Sequence, residues 1–361
     1  MINEERLVKT FLDLVAIDSP SGEEEAISKD LVQRFSALGG EVETDELHNL
    51  IARFPGTNGA DWLMLSAHMD TVGKDRGIKP QIRDGIIYSD GTTILGGDDK
   101  SGVAAILETI ASIKEDGLPH PPLEAVISVS EEVGLAGARS LDKGRLHSKR
   151  GYVLDSGGPS GVVVTRAPSQ DSLEVKVHGR TAHAGAEPEN GINAIRVASQ
   201  AIAAMPLGRI DPETTANIGL IQGGVATNIV PDYVFIKGEA RSHSEEKLAA
   251  QTAAMAFAFQ DAADQSGARI ELKVKRMYSC YKLSDDHPVV AAAVAAIEKL
   301  GWTPIIKGSG GGTDANIYAE HGIQCAILST GMAEVHTPNE HIAITDMANA
   351  ARLLREIVTA V

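Results

Sequence analysis

The sequence is poor in cysteine, in basic residues and in long apolar runs, and each shortage excludes a class of protein. Two cysteines, Cys280 and Cys325, among 361 residues do not suggest a disulfide framework or a thiolate zinc site. No segment approaches the roughly 20 apolar residues that a membrane helix needs. The 33 lysines and arginines are outnumbered by 49 aspartates and glutamates, giving a formal net charge of −16. This charge argues against a nucleic-acid partner, which binds a basic face.

The N-terminal stretch and the overall composition indicate the compartment and the size class. MINEERLVKTFLDLVAID is typical of an amphipathic helix that carries acids, and it lacks the basic start and continuous apolar stretch of a signal peptide. We therefore expect a soluble, cytoplasmic protein with no membrane partner. The length suits two domains, and a hydrophobic fraction of 43% suits a sizeable core.

The order of apolar patterns predicts an α/β protein with an insertion. Helices alternate with apolar strands in the first and last parts of the chain, which favours a domain with a largely parallel sheet. The middle part reads β-α-β-β-α-β over roughly one hundred residues, as a ferredoxin-like α+β module does. We expect residues 1–168 and 281–361 to form one discontinuous domain, and residues 169–280 to form the inserted domain.

Histidine and aspartate side chains end one predicted strand, and two further aspartates stand just before a predicted helix. His68 and Asp70 in LSAHMDTVG are two positions apart on a strand and therefore share a face. A metal-bound histidine usually donates its second N–H to such a carboxylate, although an unrelated aspartate beside a lone histidine explains this motif equally well. In LGGDDKSG, a helix N-cap explains Asp98 or Asp99 but not both, whereas a carboxylate that bridges two cations explains the second.

SVSEEVG places Glu131 and Glu132 directly after an apolar strand, where two adjacent charges repel each other and lose hydration. A dication would offset this cost, with one glutamate as a ligand and the other as a general base; a solvated pair in a surface loop is the alternative.

Asp155 after GYVL and His336 in the loop after AILSTG follow further strands. Sites in open α/β sheets form beyond such strand ends. Two histidines with carboxylates and no thiolates fit zinc, manganese or cobalt in a catalytic site.

Together these motifs resemble those of a known enzyme family. HMDTV, GGDDKSG, SEEVG, the aspartate after GYVL, and HTPNEH look like the two-zinc exopeptidase family of carboxypeptidase G2, succinyl-diaminopimelate desuccinylase, aminoacylase and peptidase T. GxDDKxG and EEVGLxGA are most similar to the peptidase T branch. The resemblance covers the whole chain. It implies a catalytic domain of the phosphorylase/hydrolase-like, zinc-peptidase type, with the inserted module as a lid and dimerisation domain.

The resemblance also implies a role for each residue of the motifs. Five residues would hold two divalent ions, expected to be zinc with cobalt or manganese as alternatives: His68 and Asp155 for one ion, Glu132 and His336 for the other, and Asp98 for both. Glu131 would be the general base that takes a proton from the metal-activated water. Asp70 would orient His68.

The inserted module supplies further candidates. In the family, the histidine at the position of His183 in GRTAHAG stabilises the oxyanion, in its own or the partner subunit's site; without the resemblance, a surface loop histidine is favoured. Asn228 offers a similar polar contact. Arg241 offers a two-pronged clamp for a substrate carboxylate, or a structural ion pair. Gly311 and Gly312 in GSGGGTDAN would present backbone amides to an anion, and a flexible tight turn explains them equally well.

The resemblance therefore implies a homodimeric metallopeptidase, paired through its inserted domain, that cleaves short peptides as a tripeptide aminopeptidase does. A carboxypeptidase, or an amidohydrolase of N-acyl amino acids, is an alternative within the family. The glutamyl-aminopeptidase family is rejected, because it inserts a lid between the first histidine and the bridging aspartate, and only 30 positions separate His68 from Asp98. A non-catalytic peptide-binding protein of the same fold is a further alternative, but it would be expected to lose the base or a ligand.

Overall fold

The structure is a computed structural model that describes residues 1–360, and the chain folds into two compact units. The first unit comprises Met1–Arg166, Lys282–Ser309 and the chain from Thr313 onward. The second comprises Ala167–Tyr281 and Gly310–Gly312. Over the described residues, none of the helices has the length and apolar character that a membrane crossing requires.

Nine α-helices and eighteen strands are found within residues 1–360. The helices are α1 Glu4–Val15, α2 Glu25–Ala37, α3 Gly97–Asp116, α4 Ala136–Ser140, α5 Ala194–Ala204, α6 Glu245–Ser266, α7 Pro288–Lys299, α8 Asp314–Glu320 and α9 Ile344–Thr359. The strands are β1 Glu41–Thr44, β2 Leu50–Phe54, β3 Leu63–His68, β4 Gln81–Arg83, β5 Ile86–Tyr88, β6 Leu123–Ser128, β7 Arg150–Ser156, β8 Val162–Ala167, β9 Ser169–His178, β10 Gly208–Asp211, β11 Thr214–Gly223, β12 Tyr233–Ser242, β13 Arg269–Tyr278, β14 Tyr281–Lys282, β15 Ile305–Gly308, β16 Gln324–Ser329, β17 Met332–Ala333 and β18 His341–Ala343.

The first unit is built around a nine-stranded sheet in the order β1-β2-β6-β3-β7-β16-β8-β14, with β15 beside β8. Its centre is parallel, because β3 pairs with both β6 and β7, and β16 pairs with β7. Every residue of β3 and β6 is buried, as is typical of parallel strands covered on both faces. The predicted α/β class with a mostly parallel sheet is confirmed. The carboxyl ends of β3, β6, β7 and β16 consequently lie along one edge.

Helix α3 is the buried helix of the first unit and begins at that edge. Every residue from 97 to 113 is buried, so the helix has no solvent face over this length and is exposed only in its last three residues. Asp98 and Asp99 at its start have non-helical backbone angles and follow Gly96, whose φ of 75° favours glycine. Asp99 Oδ2 accepts a hydrogen bond of 3.2 Å from the backbone N–H of His68, the last residue of β3. The helix start and the strand end are therefore directly joined.

A second, four-stranded sheet in the first unit has the order β17-β18-β5-β4. Its hairpin β4-β5 was not expected from the sequence. Asp84 and Gly85 connect the two strands with positive φ angles of 50° and 77°, a pattern typical of a two-residue hairpin turn. Because β18 pairs with β5, with His341 opposite Tyr88, the hairpin holds the segment that follows His336.

The second unit contains an antiparallel sheet in the order β10-β11-β12-β9-β13, with α5 and α6 packed on it. Leu173, Val175 and Val177 alternate along β9 with partly exposed residues, and they join Met255 and Phe259 of α6 in one core. The predicted order β-α-β-β-α-β is present as β9-α5-β11-β12-α6-β13. The short strand β10, which the sequence did not indicate, adds to one edge.

Candidate metal centre

Seven of the side chains singled out from the sequence lie together at the carboxyl edge of the large sheet. They lie at or just beyond the ends of five elements (β3, α3, β6, β7 and β17), so the fold brings together residues that are up to 268 positions apart in the chain. They are His68, Asp70, Asp98, Glu131, Glu132, Asp155 and His336.

Asp98 faces both histidines with separate oxygen atoms. Its Oδ1 lies 3.2 Å from His68 Nε2, and its Oδ2 lies 3.1 Å from His336 Nε2. His336 Nε2 is also 2.9 Å from Glu132 Oε1. His68 is buried, whereas 46% of the His336 side chain is exposed. The Asp98 carboxylate therefore has the position that a bridge between two cations requires.

Three overlapping sets of potential ligand atoms lie within 4.8 Å of one another. The sets are His68, Asp98 and Asp155; Asp98, Glu132 and His336; and His68, Glu131 and Glu132. The first two share only Asp98, and each corresponds to one of the two ions that the motifs imply. The third set contains His68 from the first set and Glu132 from the second, so Glu131 lies beside both predicted ion sites.

Asp70 connects the histidine to the two glutamates. Its Oδ1 lies 3.3 Å from His68 Nδ1 and accepts a 3.0 Å hydrogen bond from the backbone N–H of Glu131. Its Oδ2 accepts hydrogen bonds from the backbone N–H of Glu132 at 3.3 Å and from the hydroxyl of Ser21 at 2.7 Å. Asp70 is fully buried, so these contacts fix the strand end and the following turn relative to each other.

Burial acts to raise the pKa of three carboxylates in the cluster, but hydrogen bonds to histidine reverse the shift for one of them. Burial, together with the nearby charge of Asp98, holds the pKa of Asp155 well above its usual range. Burial and the charge of Asp155 likewise raise the pKa of Glu131. Burial also acts to raise the pKa of Asp98, but hydrogen bonds from His336 and His68 outweigh it and hold this pKa below its usual range. The cluster thus concentrates negative charge that needs a positive partner.

The histidines show where the positive charge sits. Burial acts to lower the pKa of His68, but hydrogen bonds to Asp70 and Asp98 outweigh it and raise this pKa well above its usual value. Hydrogen bonds to Asp98 and Glu132 raise the pKa of His336 to about 10. In both cases the neighbouring carboxylates favour a positive charge at the imidazole, a charge that a bound cation would supply instead.

The donor set fits divalent cations. When His68 Nδ1–H donates to the backbone carbonyl of Asp70, 3.1 Å away, the lone pair of Nε2 faces Asp98 Oδ1. Two acceptors at that distance need a proton or a metal ion between them. Zinc bonds of about 2.0–2.2 Å in tetrahedral geometry place ligand atoms roughly 3.4 Å apart, close to the observed separations. Imidazole and carboxylate donors without thiolates suit zinc, cobalt and manganese.

Three buried carboxylates around the cluster were not assigned roles from the sequence. Asp314, at the start of α8, hydrogen-bonds the Ser128 hydroxyl through Oδ2, and burial raises its pKa to about 6. Asp314 Oδ1 and Asp99 Oδ1 are buried and have no hydrogen-bond partner in the described part of the chain. The third, Glu340, accepts backbone hydrogen bonds next to Asp98. The repeated aspartate in GGDDKSG and the aspartate after the glycine run were the available signals.

The other five residues singled out from the sequence lie in the second unit. His183 Nδ1 accepts hydrogen bonds from the backbone N–H groups of residues 185 and 186, and the N–H of Ala184 donates to the carbonyl of Asn228, so these two loops are adjacent. Arg241 donates to Glu239 in two hydrogen bonds of 2.9 and 3.1 Å.

The glycine turn 310–312 also belongs to the second unit, although it follows β15 of the first. A Cβ added to Gly311 would lie 3.5 Å from Arg241 Nη1, so the turn is adjacent to the guanidinium. The N–H of Gly312 donates to the Tyr278 hydroxyl at 3.1 Å, and a Cβ on Gly312 would collide with that ring. The close approach explains why glycine is needed at position 312.

Comparison with known proteins assigns the chain to a family. The model of peptidase family M20/M25/M40 matches residues 64–360. The chain belongs to this peptidase family. Aminopeptidase PepT from Bacillus cereus is 47% identical, with a TM-score of 0.89 over 99% of this chain and 98% of that one. A tripeptidase from Staphylococcus aureus is 41% identical, with a TM-score of 0.95 over 100% and 99%. The Bacillus subtilis protein YqjE is 44% identical over 366 residues, 99% of each chain.

Family membership and the fold identify this chain as a metallopeptidase whose substrates are peptides. The resemblance to peptidase T-like members that the motifs indicated is confirmed. The alternative of a non-catalytic binding protein is accordingly set aside.

Proposed function

We propose that this chain is a two-metal exopeptidase that removes the amino-terminal residue from short peptides, tripeptides above all. The observation that carries the proposal is the position of Asp98 between His68 and His336, with the buried Glu131 beside both predicted ion sites. A bridging carboxylate next to a general base is the arrangement that two-metal hydrolysis requires.

The proposed ligands follow the geometry of the three sets. His68 and Asp155 would hold one ion, Glu132 and His336 would hold the other, and Asp98 would contact both; the donor set suits zinc, with cobalt or manganese as substitutes. Two divalent ions bound there would activate a water molecule and polarise the scissile carbonyl.

Glu131 is the proposed general base. Its carboxylate is buried beside both proposed ion sites, and burial raises its pKa. Its backbone N–H is held by Asp70 Oδ1 at 3.0 Å, so the side chain starts from a fixed position. Glu131 takes a proton from the attacking water and returns it to the leaving amine.

Residues of the second unit are proposed to bind the substrate. His183 and Asn228, in adjacent loops, provide polar contacts for the oxyanion. Arg241, which lies next to Gly311 in the glycine turn 310–312, binds the carboxylate at the end of a short peptide. Limiting the length of the peptide in this way would favour tripeptides over longer chains.

An aminopeptidase is preferred to a carboxypeptidase or an N-acyl-amino-acid amidohydrolase. The support is that PepT of Bacillus cereus and the tripeptidase of Staphylococcus aureus match nearly the whole chain at more than 40% identity. A homodimer formed through the second unit and a cytoplasmic location complete the proposal. The two cysteines are both free, which agrees with a reducing compartment.

The test is hydrolysis of tripeptides, dipeptides and N-acyl amino acids by the wild type and by Glu131→Gln. We expect the wild type to prefer tripeptides and to release the amino-terminal residue. Glu131→Gln should lose about 100-fold or more in kcat while still binding metal. Glu124→Gln is the matched control: Glu124 is also buried and lies at the opposite end of β6, where it accepts from the backbone of His147 and Ser148. Preference for N-acyl amino acids, or an active Glu131→Gln, would contradict the proposal.

A further inference from the structure

Glu340 is a buried glutamate that binds the backbone just before Asp98. Only 1% of it is exposed. Its Oε2 accepts hydrogen bonds from the N–H groups of Leu95 at 2.7 Å and Gly96 at 2.9 Å, and its Oε1 accepts from the N–H of Asp98 at 3.0 Å. One carboxylate therefore satisfies three N–H groups of the turn that carries the proposed bridging ligand.

The backbone of Glu340 makes hydrogen bonds to two segments other than the turn 95–98. Its N–H donates to the carbonyl of Thr337 at 3.1 Å, and its carbonyl accepts from the N–H of Ser89 at 3.3 Å. The next residue, His341, begins β18, which pairs with β5. Glu340 is thus attached to the hairpin and to the loop that carries His336, four residues earlier in the chain.

Glu340 therefore connects the segments that carry two of the proposed ligands. Asp98 and His336 are 238 positions apart, and Glu340 ties the turn of the first to the loop of the second. Asp98 Oδ2 and His336 Nε2 lie 3.1 Å apart, across the two segments that Glu340 joins. Outer contacts of this kind set the orientation of metal ligands.

We propose that Glu340 is a positioning residue of the metal centre, which holds the turn 95–98 against the His336 loop so that Asp98 can serve both ions. The inference rests on the proposed function. It assigns Glu340 no contact with substrate or with the reacting atoms.

The charge and both oxygen atoms of Glu340 are needed. Glutamine at this position has one acceptor oxygen and one NH2 group. If the oxygen faces Leu95 and Gly96, the NH2 group faces the N–H of Asp98, and two donors then oppose each other. The reverse orientation leaves Leu95 and Gly96 without their acceptor. Aspartate keeps the charge but is shorter by one methylene group, so it cannot reach all three N–H groups.

The test is a competition titration of the metal-free proteins with Zn²⁺ and a coloured chelator, for the wild type, Glu340→Gln, Glu340→Asp and Glu124→Gln. Glu124→Gln controls for the loss of a buried charge that accepts backbone hydrogen bonds away from the site. Circular dichroism checks that each protein is folded. We expect Glu340→Gln to bind Zn²⁺ at least tenfold more weakly, Glu340→Asp to be weakened to a smaller degree, and Glu124→Gln to match the wild type.

Equal Zn²⁺ affinity of the wild type and the folded Glu340 variants would overturn the inference and leave the proposed function intact. Equal weakening of Glu124→Gln would also overturn it, because the effect would then be general destabilisation. If Glu340→Gln does not fold, Glu340→Asp decides by the same criterion. A wild type that binds no Zn²⁺, cobalt or manganese would overturn the proposed function, and this inference with it.

Discussion

Replacing Asp70 with asparagine removes one charge from the centre without changing the shape of the side chain. In the wild type, Oδ1 serves His68 and the N–H of Glu131, whereas Oδ2 serves the N–H of Glu132 and the Ser21 hydroxyl. Asparagine can keep its oxygen at the Oδ1 position only by placing an NH2 group at the Oδ2 position. The hydroxyl of Ser21 can rotate to accept from that NH2 group, but the N–H of Glu132 cannot.

The expected loss for Asp70→Asn follows from the new NH2 group and the N–H of Glu132, two donors that would face each other. Leaving a buried N–H without an acceptor costs about 1–3 kcal/mol. Since about 1.4 kcal/mol corresponds to a factor of ten, the loss in kcat/KM or in metal affinity is roughly 5- to 150-fold. His68 also loses its charged partner, and mutating the hydrogen-bond partner of a metal ligand typically lowers metal affinity or activity about 10- to 100-fold.

The assay is kcat and KM on the best tripeptide at saturating metal, together with a Zn²⁺ competition titration, for Asp70→Asn and for Ser21→Ala. Ser21→Ala removes one of the hydrogen bonds to the same carboxylate but keeps its charge and its acceptors for the N–H groups of Glu131 and Glu132, so it should cost less than Asp70→Asn. Asp70→Asn should lose more than Ser21→Ala, mainly in kcat and in metal affinity. If Asp70→Asn stays within about twofold of the wild type in both measurements, the proposed orienting role is wrong.

Three further perturbations test other parts of the account. Gly102→Ala should cost about 1–3 kcal/mol of unfolding free energy, because its Cβ would lie 2.5 Å from both Asp99 Oδ1 and the Leu154 carbonyl. Thermal unfolding should give a lower melting temperature for Gly102→Ala than for Gly219→Ala, whose added Cβ would lie 3.5 Å from its nearest neighbour. Equal melting temperatures of the two variants would contradict the close packing at Gly102. His183→Ala should reduce kcat by about 100-fold or more without changing metal content, and an unchanged kcat would contradict its role. A chelator should abolish peptidase activity and lower the melting temperature, and Zn²⁺ at about 100 times its dissociation constant should restore about 2.7 kcal/mol of unfolding free energy per site. A melting temperature that changes with neither treatment would contradict metal binding in the folded state.

The first part of the centre could be predicted because it follows from strand order alone. His68 and Asp155 lie at the carboxyl ends of β3 and β7, the two glutamates follow β6, and parallel strands present their carboxyl ends at one edge. Which residues share an ion could not be read from that pattern. The pairing came from the resemblance, and the structure groups the same residues by distance.

Other contacts depend on partners too far away in the chain for a local pattern to indicate. Glu340 reaches Leu95 across 245 positions, and Ser128 reaches Asp314 across 186. Both carboxylates look like ordinary loop or cap residues in the sequence, and only their burial distinguishes them. The hairpin β4-β5 was missed for a different reason: its strands have three residues each, too short for an alternation of apolar and polar residues to be recognised.

The proposed metal centre has two ions that share Asp98. A crystal structure of the zinc-loaded protein, with anomalous scattering recorded at the zinc edge, will show whether they do. We predict two peaks about 3.5–4 Å apart, one bonded to His68 and Asp155, the other to Glu132 and His336, with one Asp98 oxygen on each. A single peak, or two peaks of which either lacks Asp98 as a ligand, would contradict the account.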